Sequence, residues 1–174
     1  ASLMREFRTQ RDKRIKRLRT DNGGEFVNRD MQTLLDEEGI IHEKTPPRTP
    51  QANGVAERGN RILLEVVRTV LASEDLPATL WAELANAAVY LRNRMATRVL
   101  EYDIPYRRLY GRLPNYSRLR TLGARGRQHV RAEERSKIDP TSREVFLLGH
   151  EGNNYRLWDP ERKIVRVSVA PRRQ

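Results

Sequence analysis

The sequence predicts an α/β unit followed by a small β-barrel, and three patterns carry that reading. A strand, a helix and a second strand follow one another within residues 15–45. Two long helical patterns then occupy most of residues 54–95. Beyond residue 143, three short apolar runs are split by tight-turn residues, a β-meander of a size suited to a small barrel.

Taken in order, residues 1–14 are polar and basic and read as a frayed helix end. "IKRLRT" (15–20) alternates apolar and basic residues like a strand, and Asp-Asn-Gly-Gly (21–24) then forces a turn. "NRDMQTLLDEEG" (28–39) is helical, with Met31, Leu34 and Leu35 on one face and Gly39 as its stop. "IIHEKT" (40–45) is the second strand. "PPRTPQANG" (46–54) excludes regular structure, and Asn53 is a natural N-cap for the helix that follows. In that helix Val55, Ile62, Leu63, Val66, Val67, Val70 and Leu71 form an apolar stripe opposite Glu57, Arg61, Glu65 and Arg68. A second helix covers 78–95, entered through Leu76-Pro77. Residues 97–117 read as irregular, punctuated by Pro105, Gly111 and Pro114. A boundary near 115–120 divides the chain into residues 1–116 and 117–174.

Charge points to a polyanionic partner. The 174 residues carry a net charge of +11, and 29 of the 34 basic residues are Arg, which grips phosphate bidentately. Residues 101–174 hold 17 basic and 9 acidic residues, a net of +8; residues 1–100 hold 17 and 14, a net of +3. "SRLRTLGARGRQHVR" (117–131) has five Arg and no acid. There is no Cys, so disulfides, thiolate zinc sites and cysteine nucleophiles are excluded within this chain. His42, His129 and His150 lack metal-ligand spacing. No apolar run approaches the roughly 18 residues of a membrane span, and no membrane partner is expected.

Two acids stand where phosphoryl-transfer chemistry would use them. Such sites converge carboxylates on divalent ions about 3.5–4 Å apart, and oxygen ligands suit Mg²⁺ or Mn²⁺. Asp21 follows the first strand and Glu57 opens the amphipathic helix, with 35 residues between them. Each alone has an ordinary reading: Asp before Asn-Gly-Gly is a turn former, and Glu suits the positive end of a helix dipole.

The surrounding text adds a family. "LRTDNGGEF", "GIIHEKTPPRTPQANGVAERGNRILLE", "LPATLWAELANAAVYLRNR", "PYRRLYGRLPNYSRLRTLG" and "SKIDPTSREVFLLGH…YRLWDPERKIV" closely resemble, in order, the integrase region of copia-type long-terminal-repeat retrotransposons. The resemblance implies part of a ribonuclease H-like D,D-35-E catalytic core over 1–116, lacking its first strands, and an SH3-like β-barrel over 117–174. It implies that Asp21 and Glu57 are catalytic, metal-binding acids for Mg²⁺ or Mn²⁺. It makes Gln51 and Asn53, in a loop similar to the mobile loop of the family's active site, and Arg58, Asn60 and Arg61 beside Glu57, candidate DNA contacts. DNA is the expected partner (element ends and target), with a homo-oligomeric parent acting in the nucleus or a cytoplasmic particle of the element.

Departures from the family qualify the expectation of activity. The only acids before Asp21, Glu6 and Asp12, stand in a polar helix-like stretch and not in a strand. With two carboxylates the chain alone is expected to bind metal weakly and to join no DNA. Arg48 stands where the family usually has an aromatic, Ala52 where it has Gln, and Leu122-Gly123-Ala124 where it has Phe-Gly-Cys. Arg125 and Arg127 fit a barrel strand only if both point outward. The alternative function is a basic nucleic-acid-binding remnant without chemistry.

Overall fold

The computed structural model describes residues 14–45 and 54–169. The expectations for residues 1–13, for Glu6 and Asp12, and for Arg48, Gln51, Ala52 and Asn53 lie outside them. Packing divides the chain into two units, residues 1–61 and 62–174.

In the first unit β1 (Arg17–Thr20) and β2 (Ile41–Lys44) form a parallel pair in register from Arg17/Ile41 to Thr20/Lys44. The crossover is α1 (Arg29–Glu38), whose Asn28 side chain accepts the Met31 N–H at 2.8 Å and so caps the first turn. Gly39 ends it in the left-handed region at φ 65°, and its N–H bonds back to Asp36 and Leu35. The apolar face is as the pattern predicts: Leu35 is fully buried, Met31 and Leu34 half-buried, and Ile40 closes the core as the chain enters β2.

The second unit is built on α2 (Gly54–Ser73), α3 (Trp81–Arg92), α4 (Pro105–Tyr110) and an antiparallel sheet of β3 (Arg125–His129), β4 (Ser142–Glu151), β5 (Asn154–Asp159) and β6 (Ile164–Val169). The first residues of α2 fall in the other unit. Strand order follows chain order, β3-β4-β5-β6. Val67 and Val70 of α2 are buried and Leu63, Val66 and Leu71 half-buried, whereas Ile62 is exposed at the margin of the stripe. A 3₁₀ turn (Ala78–Leu80) leads into α3.

One hydrophobic core joins helices and sheet: Val67, Val70, Leu76, Leu80, Leu84 and Ala87 meet Leu122, Phe146, Leu148 and Trp158. Helix α3 lies on β4 so closely that a Cβ on Gly149 would sit 3.1 Å from the Cβ of Ala87. Arg156 of β5 clamps α3 through both carboxylate oxygens of Glu83, each at 2.7 Å. Beneath the sheet, Arg143 reaches the buried Asp159 at 3.3 Å and Glu134 at 3.0 Å.

One expectation changes and another is met. Residues 97–117 are not wholly irregular: α4 forms with Pro105 at its first turn, where the missing N–H costs nothing, and Gly111 caps it at φ 69°. The Arg-rich "RGRQH" is a strand, and it meets the condition set by its charge, since Arg125, Arg127 and His129 are all exposed. The packing division at 61/62 differs from the composition boundary at 116/117, because a packing unit and a sequence module are different things.

Candidate functional site

Asp21 stands at the carboxyl end of the parallel β1–β2 pair, the end at which open α/β sheets place their ligand sites. Its carboxylate is exposed, and Oδ1 accepts the Gly23 N–H at 3.1 Å, an Asx turn that holds the side chain at the strand exit. The turn is pinned from two directions. The Asn22 amide donates to the Thr45 carbonyl at 2.9 Å, tying the segment after β1 to the end of β2. Thr20, buried, donates its hydroxyl to the Asp21 carbonyl at 2.9 Å and lies 2.8 Å from His42 Nε2. With the hydroxyl proton committed to Asp21, the His42 ring is the donor in that second contact.

These supports were missed in the sequence. His42 and Thr45 lie more than twenty residues from Asp21, and only the parallel register brings them to its side. Glu43, the acid of β2, is engaged elsewhere: Arg17 at 2.7 Å and Arg19 at 2.9 Å bind its carboxylate and hold its pKa below the ordinary value, Arg17 first.

Glu57 lies in the first turn of α2 with its side chain exposed. Arg58, Asn60 and Arg61 are exposed on the same turns, free to meet a ligand from solvent, while Gly59 between them is buried. Gln51 and Asn53 lie outside the described residues. Among the described residues no three acidic or His side chains are grouped to hold a metal. Asp21 and Glu57 are oxygen donors of the kind that Mg²⁺ or Mn²⁺ prefers, but two carboxylates alone do not make a cage.

Residues 128–169, from β3 to the end of β6, match the family described as "Retroviral polymerase SH3-like domain". The retrovirus-related Pol polyprotein from transposon TNT 1-94 of Nicotiana tabacum is 43% identical over 155 residues, 88% of this chain and 12% of that protein. Those from transposons RE2 and RE1 of Arabidopsis thaliana are 36% and 37% identical over 137 residues, 79% of this chain and 9% of each protein. The chain thus spans about a tenth of the length of these relatives. A chain from the simian T-cell lymphotropic virus intasome in complex with PP2A regulatory subunit B56 gamma aligns over 91% of this chain and 60% of its own, with a TM-score of 0.47 and 16% identity.

Proposed function

The chain belongs to the integrase C-terminal region of copia-type retrotransposon Pol polyproteins, and from that premise we propose that it serves DNA integration by its parent protein. Its part is to present Asp21 and Glu57 as two acidic ligands for Mg²⁺ or Mn²⁺ and to engage DNA beside them. The observation that carries the reading is the placement of Asp21. It is an exposed carboxylate, fixed by its own turn, at the carboxyl end of a parallel strand pair.

Within this reading the α2 turns that hold Glu57 contact DNA through Arg58, Asn60 and Arg61, with Gln51 and Asn53 adding contacts from the preceding loop. The fold behind Asp21 and Glu57 is then the ribonuclease H-like one. The further carboxylate that a two-ion site requires comes from the rest of the parent.

Mn²⁺ titration of the chain, followed by electron paramagnetic resonance, tests the metal role in wild type and in Asp21→Asn. An Asn at this position keeps the acceptor for the Gly23 N–H and removes only the charge, so the turn is retained. The expected result is weak Mn²⁺ binding that Asp21→Asn and Glu57→Gln each reduce severalfold. Mn²⁺ binding indifferent to both variants, together with salt-sensitive DNA binding, would instead support a binding remnant without chemistry.

A further inference from the structure

Residues 62–174 contain a cleft of about 540 Å³ whose lining includes three arginines and no carboxylate. Ligand cavities fall at about 300–1,000 Å³, so a nucleotide-sized group fits it. One wall is a column of stacked groups drawn from four elements. His150 of β4 lies parallel to Tyr90 of α3, with ring centres 5.0 Å apart, and Tyr155 of β5 meets His150 edge-on. The Arg94 guanidinium covers Tyr90 at 3.3 Å and lies 4.9 Å from the ring centre of Tyr106 in α4. Arg112 and Arg118, from the segment after α4, complete the lining, and the Arg118 carbonyl accepts from the Tyr155 hydroxyl at 3.0 Å.

What singles this place out is three arginines without an acid partner lining one cavity. Other arginines of the unit are matched with acids, Arg107 and Arg108 with Asp103, Arg125 with Glu74, Arg143 with Glu134 and Asp159, Arg156 with Glu83 and Glu151, or, like Arg68, Arg98 and Arg131, are exposed outside the cleft. Among the described residues no carboxylate pairs with Arg94, Arg112 or Arg118. Arg94 donates once, to the Tyr90 carbonyl at 2.9 Å, and Arg118 once, to the Asn153 carbonyl at 3.1 Å. Each keeps further donors, in guanidiniums already ordered by ring stacking or by a backbone bond. With the exposed Arg112, three guanidiniums line one cavity and leave a positive field that an anion would neutralise.

We propose that this cleft is a phosphodiester-binding site for a nucleic-acid strand, with Arg94, Arg112 and Arg118 as the phosphate donors. It rests on the reading of the chain as a DNA-handling segment, but it lies in the second unit, with residues other than those beside Glu57. A strand suits the cleft better than a free phosphate because three arginines line it and the exposed Arg120, two residues beyond Arg118, adds a fourth charge next to it in the chain. Arg120 follows Arg118 with its side chain bonded only to the Ser117 and Leu119 carbonyls, and the acid-free run continues to Arg131.

Fluorescence anisotropy with labelled single-stranded and duplex DNA tests the site, in a buffer containing EDTA so that metal at Asp21 and Glu57 plays no part. The variant is Arg112→Gln/Arg118→Gln, which leaves the Tyr90–Arg94–Tyr106 stack in place. The charge-matched control is Arg68→Gln/Arg98→Gln, at exposed arginines outside the cleft and outside the acid-free run. The cleft variant should weaken binding about tenfold or more and lower the slope of log affinity against log salt by about 2. The control should change affinity by under about threefold, the residue of a long-range effect that salt screens. Arg112→Gln alone, at a side chain with no hydrogen bond among the described residues, should act in the same direction and guards against misfolding of the double variant. Equal losses in cleft variant and control would overturn the proposal. So would competition by a mononucleotide as effective as by an oligonucleotide at equal phosphate concentration. Either failure leaves the Mn²⁺ test of Asp21 and Glu57 standing on its own.

Discussion

The His150 ring is held so that taking up a second proton is costly. Its Nε2 lies 3.3 Å from the Arg118 carbonyl, which can only accept, so Nε2 carries the proton of the neutral ring. Nδ1 is buried with no hydrogen-bond partner, and a proton added there would meet none. Burial lowers the pKa first, and the charges of Arg94 and Arg120 lower it further; the Arg118 carbonyl acts the other way. Because the folded pKa lies below the unfolded one, the unfolded chain takes the proton first as pH falls through about 6.5. The stability contribution of His150 is therefore complete above that pH and is lost progressively below it. Thermal melts from pH 8 to 5 should show Tm falling on the acid side in wild type. In His150→Gln, whose amide can still donate to Arg118, that fall should be smaller; an equal fall would show that the ring is not the cause.

At the scale of elements, the contact between α3 and β4 is set by two small residues. Ala87 and Gly149 face each other so closely that a Cβ added at Gly149 would crowd the Ala87 methyl at 3.1 Å. Gly149→Val should cost about 1–3 kcal/mol through overpacking, whereas Gly126→Ala, with nothing within 4 Å of its added Cβ, should cost far less. Urea denaturation of the two variants checks the difference, and equal effects would remove the close approach as its cause. Elements of this kind were legible where periodicity and caps agree: β1, α1 with its Asn28 and Gly39 ends, β2, the apolar stripe of α2, and the meander. Helix α4 was missed because its Pro and Gly look like loop punctuation, when one opens the helix and the other closes it. Asp21 and Glu57 were legible from their turn and helix-start contexts, and through the family motifs around them. His42, Thr45 and the stacked column behind Arg94 were not, since parallel register and helix packing alone bring their members together.

On the scale of the whole molecule, the question is which stretch can fold by itself. Composition sets a module boundary at 116/117, yet the core crosses it. Leu122, Phe146, Leu148 and Trp158 are buried in one cluster with Val67, Val70, Leu80 and Leu84. Cutting at 116/117 would strip the helical side from Phe146, Leu148 and Trp158. Burial of such side chains contributes about 1.5–3 kcal/mol each, so their combined loss rivals the about 5–15 kcal/mol that holds a typical domain together. A piece of that length is already marginal by surface-to-volume scaling. A polypeptide of residues 62–174 should therefore unfold cooperatively in urea, while one of residues 117–174 should not. Trp158 gives the readout, because it is buried in the intact unit and is the only Trp of the shorter piece. Its emission in that piece should match solvent-exposed indole at zero denaturant. A cooperative transition in residues 117–174, with blue-shifted Trp158 emission, would show that the sheet carries a sufficient core of its own and that the helices of α2 and α3 merely dock on it.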